Sequence, residues 1–261
     1  MNISKLQTEK LYALIPLLLN TFKHYLWCPL MSYLITFFQS QTQYMPYSLW
    51  HFYAILSALI LLTGLLSLPR TKVIDKVIRI SLCLVTCLCL TISCISYHFI
   101  PLHVCHVSAW LILPLALLLR VRVFQYLLIY ISGWGALIAL IIPDLQAHTT
   151  WLRFIVFYTM HSCLVISALY CFIVDRPKPE WISVLYVIIA YNVYIFFVGI
   201  VDYFLDANYV FLSHPPQSLQ NLFTWPWYIF EFQLFFIALS FMTCALGRLY
   251  QSRDHRMLKH S

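Results

Sequence analysis

Residues 181–204 read WISVLYVIIAYNVYIFFVGIVDYF, a run of 24 positions with a single charged side chain, Asp202. As a helix the run would be about 36 Å long, which is enough to cross a bilayer hydrocarbon core of about 30 Å. Because no water reaches that core, the backbone must satisfy its own hydrogen bonds, and helix is the conformation to expect. The stretch therefore predicts a transmembrane helix.

Six further apolar runs make the chain polytopic. Hydrophobic residues account for 62% of the sequence and charged residues for 10%, against about 25% charged in an ordinary globular protein. Short segments of alternating polarity, which are typical of a membrane barrel, are absent. We predict an all-α membrane helix bundle, with seven transmembrane helices and an additional N-terminal interfacial or membrane segment. The six other runs are about 50–68, 77–96, 103–119, 124–142, 153–174 and 226–246.

The basic residues indicate how the bundle is oriented. They lie in the connections after the first, third and fifth runs and in the C-terminal tail, whereas the other connections carry only Arg153, at a helix edge. By the positive-inside rule the basic connections and the C-terminus face the cytoplasm. A net charge of +7 distributed in this way indicates orientation and not nucleic-acid binding, and the expected partners are membrane lipids. The basic residues assigned to these connections and to the tail are Arg70, Lys72, Lys76, Arg79, Arg120, Arg122, Arg176, Lys178, Arg248, Arg253, Arg256 and Lys259.

The chain divides into three parts by composition. Residues 46–247 form one predicted seven-helix domain, and residues 248–261 a basic cytoplasmic tail. Residues 1–45 form an interfacial or re-entrant segment, in which the apolar stretch 11–38 is interrupted by polar residues and a proline. An eighth span in that stretch remains an open alternative.

Polar side chains gather near the predicted outer ends of the helices. Ionisable groups in membrane spans are costly and are functional candidates by default. Seven of the ten histidines and four other reactive side chains fall in this outer half. They are His51, His98, His103, His106, His148, His161, His214, Cys105, Asp144, Asp202 and Asp206.

One pair among them fits nucleophilic catalysis. Cys105 opens the third run, and His161 lies about two turns into the fifth, with Tyr158 one turn before it on the same face. If those helices are neighbours, the imidazole can take the thiol proton and the thiolate can attack an ester carbonyl. The alternative is that Cys105 packs as a small hydrophobe while His161 hydrogen-bonds across helices.

A polar stripe runs along the sixth predicted helix. Asn192, Asp202 and Asp206 fall within roughly a quarter of the helix circumference, and Asn208 follows in the next connection. These side chains either orient His161 or bind a polar head group, or else they cap the helix and anchor the loop. No His-Glu-x-x-His or Cys-x-x-Cys pair occurs, so we expect neither a metal nor a cofactor.

The stretch from His98 to about Phe235 resembles the YwaF-like integral membrane family of bacteria, which is similar to a eukaryotic transmembrane ether-phospholipid acyltransferase. The resemblance implies that Cys105 and His161 are the catalytic pair and that His51 matches an early family histidine. It departs at His106, often acidic in the family, and at Ser162, commonly glycine. It also implies a multi-pass protein of the bacterial cytoplasmic membrane. The matching segments are Leu102-His103-Val104-Cys105-His106-Val107-Ser108, Gly135-Ala136-Leu137, Pro143-Asp144-Leu145, Arg153-Phe154, Asp206-Ala207-Asn208-Tyr209-Val210-Phe211-Leu212 and Trp225-Pro226-Trp227-Tyr228-Ile229.

Two functions are therefore under consideration. The first is a lipid acyltransferase or acyl hydrolase that uses Cys105 and His161 near the outer leaflet. The alternative is a transporter or small-ligand sensor with a polar outer cavity, in which His161, Asn192, Asp202 and Glu231 bind the ligand or relay protons.

Overall fold

The structure, a computed structural model, describes residues 36, 40, 48–145, 149–216 and 219–257, with side chains as far as residue 252. Seven helices and no strands are present in this part of the chain, as predicted. Apart from residues 36 and 40, the predicted N-terminal segment lies outside the described residues. The helices are α1 (Leu49–Ser67), α2 (Lys72–Tyr97), α3 (Val104–Leu117), α4 (Arg122–Ile141), α5 (Trp151–Asp175), α6 (Trp181–Leu205) and α7 (Trp227–Met257).

Six of the seven helices are long and apolar enough to cross a membrane, and the chain is a multi-pass integral membrane protein. The exception is α3, whose 14 residues extend about 21 Å, less than the thickness of the hydrocarbon core. The seven predicted runs are therefore confirmed as helices, but only six have spanning length. Helix α7 runs on to Met257, so residues 248–257 of the predicted tail continue the last helix.

Helix α5 is the centre of the bundle. Of its most apolar stretch 72% is buried, against 6% for α1 and 17% for α6 and α7. It packs against α1, α2, α3 and α4. The large apolar side chains of α1, α6 and α7 are mostly exposed, as expected for surfaces that face lipid.

The packing of α3 and α4 in the bundle is close. A side chain at Gly133 in α4 would place its Cβ 2.6 Å from that of Ala168 in α5, so only glycine allows this approach. The hydroxyl oxygens of Ser108 and Ser132 lie 2.7 Å apart and join α3 to α4. Helix α3 has a π-helical turn just before Pro114, which accommodates a residue that cannot donate a backbone hydrogen bond.

One end of the bundle, called here the Arg79 end, is closed by a buried ion-pair network. The Arg79 guanidinium is 4% exposed and donates to both carboxylate oxygens of Asp75 and of Asp175, at 2.7–3.0 Å. Arg120 adds a second cation beside Asp75, at 3.0 Å. The assignment of Arg79 to the connection after the first run was wrong, because α2 begins at Lys72 and the two aspartates neutralise Arg79 inside the bundle.

The opposite end, called here the His103 end, is built from the connections that follow α2, α4 and α6. The Tyr209 hydroxyl accepts a hydrogen bond from the backbone N–H of Ile100 at 3.3 Å. The hydroxyls of Tyr97 and Thr150 are 2.9 Å apart. These contacts hold the three connections together over the ends of the helices, where the sequence places its reactive side chains.

Candidate functional site

The thiol of Cys105 lies in the first turn of α3 and is half-buried. It packs against an apolar cluster that includes Ala109 of α3 and Val156 and Met160 of α5. At the start of a helix the backbone N–H groups have no intrahelical acceptors, and the N–H groups of Cys105 and His106 lie close enough to hydrogen-bond a thiolate at this position. Burial in these apolar surroundings is the larger influence and opposes the thiolate, and the backbone N–H groups offset that effect only in part.

The imidazole of His161 is buried in the middle of α5. Its Nδ1 lies 2.8 Å from the carbonyl oxygen of Phe157, and its ring packs on the Phe157 ring with centroids 4.2 Å apart. Since a carbonyl can only accept, Nδ1 carries the proton in the neutral ring. Nε2 is then left as the basic nitrogen, which is the arrangement that a general base requires.

Two imidazoles, those of His103 and His106, pack together at the start of α3. The rings of His103 and His106 are 5.3 Å apart, edge to face, and His106 also stacks on Phe99 at 4.8 Å. Both His103 and His106 lie within electrostatic reach of His161. The Nδ1 of His106 is buried and has no hydrogen-bond partner among the described residues. Helices α3 and α5 are thus neighbours, as the proposed pair requires.

Cys105 and His161 are not joined by a hydrogen bond in the described part of the chain. Hydrogen bonds between catalytic groups are often long in unliganded enzymes and tighten when substrate binds. In a catalytic triad a third group orients the histidine. Here the backbone carbonyl of Phe157 orients His161. Asp202, which the sequence suggested for that role, instead accepts a hydrogen bond from the Tyr209 N–H at 3.0 Å.

The polar stripe on α6 is divided among different surroundings. Asp202 is buried and anchors the connection after α6, whereas Asp206 is exposed in the left-handed C-cap position of that helix. Asn192 is exposed and accepts a hydrogen bond from Gln233 of α7. Asp202 therefore anchors the connection, and Asn192 contacts α7.

Asn208 organises the segment between α6 and α7. Its Oδ1 accepts from the backbone N–H groups of Ser213 and His214, at 2.8 and 3.2 Å. Its Nδ2 is therefore the donor, and it lies 2.9 Å from the His214 carbonyl and 3.0 Å from His214 Nδ1. These four contacts fold residues 208–214 back over the His103 end.

His51 and Tyr158 form a separate contact between α1 and α5. Both are buried, and their rings are 5.6 Å apart, edge to face. His51 also hydrogen-bonds the Leu140 backbone in α4. This arrangement fits a histidine that fastens α1 to the bundle. His148 lies outside the described residues.

A polar cavity of about 290 Å³ opens at the His103 end. Its His103 ring accepts a hydrogen bond at Nδ1 from the backbone N–H of Val210, at 3.3 Å. Burial lowers the pKa of His103, and the nearby carboxylate of Asp144 offsets this only in part, so the ring is neutral at pH 7. The polar side chains that line the cavity are His103, Asp144, Arg153, Asn208, His214 and Gln220.

An apolar groove of about 540 Å³ lies on the other side of the same connection, between α6 and α7. Phe211 lines the polar cavity, and its neighbour Leu212 lines the groove together with Phe196 and Ile229. The two spaces are therefore separated by consecutive residues of one segment. A molecule with a polar head and an apolar chain matches that pairing of surfaces.

Comparison with known proteins identifies the family. The model of the TMEM164 family matches residues 22–244, most of the chain. The chain belongs to the TMEM164 family. No curated protein and no solved structure matches it.

Some residues of the candidate site are not evident from sequence spacing. Arg153 lines the polar cavity, and Tyr194 of α6 donates a hydrogen bond to the Leu102 carbonyl beside the start of α3. Arg153 did carry a signal, because it is the one basic residue that interrupts the neutral connections. Tyr194 carried none, since tyrosine is common in membrane helices.

The described residues contain no group of three or more His, Cys, Asp or Glu side chains positioned to hold a metal ion. The rings of His106 and His161 each pack on a phenylalanine ring, that of Phe99 and that of Phe157.

Proposed function

We propose that this TMEM164-family protein is a lipid acyltransferase or acyl hydrolase that works by covalent catalysis, with Cys105 as nucleophile and His161 as general base. The observation that carries the proposal is the tautomer of His161: the Phe157 carbonyl holds the proton on Nδ1 and leaves Nε2 basic, in a helix that packs against the one bearing Cys105. The motif resemblance to an ether-phospholipid acyltransferase points to the same two residues.

The start of α3 supplies the electrostatic part of the mechanism. Helix N-terminal N–H groups stabilise negative charge, and Cys105 follows the N-cap residue His103 by two positions. The same N–H groups are the candidate donors for the oxyanion that forms when the carbonyl is attacked. A backbone site of this kind uses no side chain, so the sequence does not mark it and the structure is needed to find it.

The reaction proceeds in two balanced halves. Cys105 Sγ forms a bond to the acyl carbonyl carbon while His161 Nε2 takes the thiol proton; the tetrahedral intermediate then collapses, and the lysolipid oxygen leaves with that proton. An acceptor hydroxyl next attacks the thioester, His161 Nε2 takes the hydroxyl proton, and the proton returns to the departing Cys105 sulfur. With a lysolipid as acceptor the result is acyl transfer, and with water it is hydrolysis.

The alternative function, a transporter or sensor, requires its polar groups to share one cavity. Asn192 and Glu231 are exposed on α6 and α7, whereas His161 is buried in α5. Because these side chains do not line a common space among the described residues, we favour the enzyme.

The test is covalent labelling of purified protein in detergent with a lipid-like activated acyl ester, read by intact mass and peptide mapping. We expect one acyl group on Cys105, lost in Cys105→Ser and in His161→Ala. Cys94→Ser is the matched control, because Cys94 is also half-buried and packs on the same apolar cluster; it should label like wild type. If a small thiol reagent modifies Cys105 but no acyl ester of any chain length does, the proposal is wrong.

A further inference from the structure

The polar cavity at the His103 end has the size and lining of a ligand-binding site. Its volume of about 290 Å³ is at the lower end of the range for small-molecule sites, and suits a compact polar group. Its walls come from the connections before α3, after α4 and after α6, and from the first turn of α5. The acyl-transfer step described above uses none of the side chains that line it.

Arg153 provides the cation in this cavity. Its guanidinium lies over the Tyr97 ring, 5.3 Å from the centroid, and it forms no ion pair in the described part of the chain. Arg79, at the other end of the bundle, is instead neutralised by two aspartates. The positive end of the α5 dipole adds to the field at Arg153, which lies in the first helical turn.

Both histidines in the cavity accept a hydrogen bond at Nδ1, which leaves Nε2 to donate. His103 Nδ1 accepts from the Val210 N–H, and His214 Nδ1 accepts from Asn208 Nδ2. In a neutral imidazole the proton must then be on Nε2, so each ring presents an N–H. The Pro215 carbonyl also approaches His214 Nδ1, at 3.4 Å, but the 3.0 Å amide contact is the shorter and sets the tautomer.

The acidic residue limits which anions fit. Asp144 lines the same cavity, and a carboxylate there disfavours a ligand with two negative charges more than a ligand with one. Arginine is well suited to recognise phosphate oxygens in a bidentate manner. The donor set, the single cation and the adjoining apolar groove together match a monoanionic phosphate diester better than a dianion.

We propose that this cavity binds the phosphate group of a phosphodiester, with Arg153 as the charged anchor and the Nε2–H groups of His103 and His214 as further donors. The inference deepens the proposed function and rests on it for the expectation that the ligand is a membrane lipid. In that case the head group occupies the polar cavity, and an acyl chain lies in the groove beyond Phe211 and Leu212.

Binding is tested in Cys105→Ser protein, so that acyl transfer plays no part in the result. Native mass spectrometry in detergent follows three probes: a short-chain diacyl phosphodiester lipid, the diacylglycerol with the same chains, and inorganic phosphate. Arg153→Gln should lower the affinity for the phosphodiester lipid at least ten-fold, because a hydrogen bond to a charged group typically contributes a factor of about this size. The affinity for the diacylglycerol should not change.

Arg248→Gln is the matched control, because Arg248 also stacks on an aromatic ring, that of Trp181 at 5.4 Å, outside the cavity; its affinity should stay within two-fold of the parent. His214→Ala lies in an exposed segment and should lower the affinity for the phosphodiester lipid several-fold. It provides the second test of the cavity if Arg153→Gln does not fold. Competition by inorganic phosphate would assign the site to the oxyanion itself, and absence of competition would assign it to the lipid head group. The proposal is overturned if Arg153→Gln and its parent bind the phosphodiester lipid with equal affinity. It is also overturned if the parent binds the phosphodiester lipid and the diacylglycerol with equal affinity. If binding holds while Cys105 fails to label, the proposed function alone is wrong.

Discussion

Replacement of Arg79 should test how the Arg79 end is held together. The guanidinium is 4% exposed and makes four hydrogen bonds to the carboxylates of Asp75 and Asp175, and a fifth to the Leu117 carbonyl at 3.2 Å. Arg79→Gln leaves Asp175, whose side chain is 7% exposed, without its nearest cation. Breaking a buried pair from one side typically costs about 3–5 kcal/mol. Because Arg120 remains 3.8 Å from Asp175, we expect a loss near the lower bound, about 3 kcal/mol in the free energy of unfolding.

Arg120→Gln is the matched control for this prediction. Arg120 pairs with the same aspartates but is 57% exposed, and exposed ion pairs contribute only about 0–1 kcal/mol. Unfolding by sodium dodecyl sulfate in mixed micelles, followed by far-ultraviolet circular dichroism, measures both variants. The double variant Arg79→Met/Asp175→Asn should recover part of the loss, because the charge left unpaired has been removed. The reasoning is refuted if Arg79→Gln and Arg120→Gln lie within 1 kcal/mol of each other.

Three further predictions concern packing and protonation. Gly133→Ala should lower the free energy of unfolding by about 1–3 kcal/mol through overpacking against Ala168, whereas Gly135→Ala, with open space around its Cβ, should be neutral or stabilising; equal effects in the same unfolding assay would contradict this. Ser132→Ala removes the hydroxyl contact with Ser108 and should cost about 1 kcal/mol, with an unchanged midpoint as the contrary result. Since burial lowers the pKa of folded His103, the unfolded chain takes up its proton first, and stability falls as the pH drops below about 6.5. His103→Asn should therefore flatten the dependence of the melting temperature on pH between 7 and 5, and parallel curves for both proteins would refute that.

The helical architecture was predictable because membrane insertion leaves few alternatives. Apolar runs of spanning length must form helices, and all seven runs do. Two details were not accessible in this way. The third run forms a helix of only 14 residues, since the extended chain before Val104 and the end at Leu117 depend on packing. Arg79 was assigned to a connection, because its partner Asp175 lies 96 positions away and sequence spacing gives no sign of that contact.

The candidate site was predictable in its chemistry but not in its connections. Cys105 and His161 follow from residue type and position along predicted helices. The Phe157 carbonyl that orients His161 is a backbone group, and no side-chain pattern identifies it. The polar cavity depends on residues from four segments. The sequence placed His103, Asp144 and His214 near the outer helix ends and left Arg153 as a cation in an otherwise neutral set of connections, but their spacing did not show that they line one cavity. Charges that violate the expected distribution are therefore worth examining first in membrane proteins of this kind.

Trapping of the acyl-enzyme from an intact phospholipid is the most direct test of the central claim. Protein in liposomes of isotopically labelled diacyl phospholipid would be quenched with acid and analysed by mass spectrometry, without an added acceptor. The mechanism predicts a labelled thioester on Cys105 that hydroxylamine removes at neutral pH and that is absent in Cys105→Ser and His161→Ala. Lysolipid formation that persists in Cys105→Ser, or turnover without any adduct on Cys105, would contradict a Cys105–His161 mechanism.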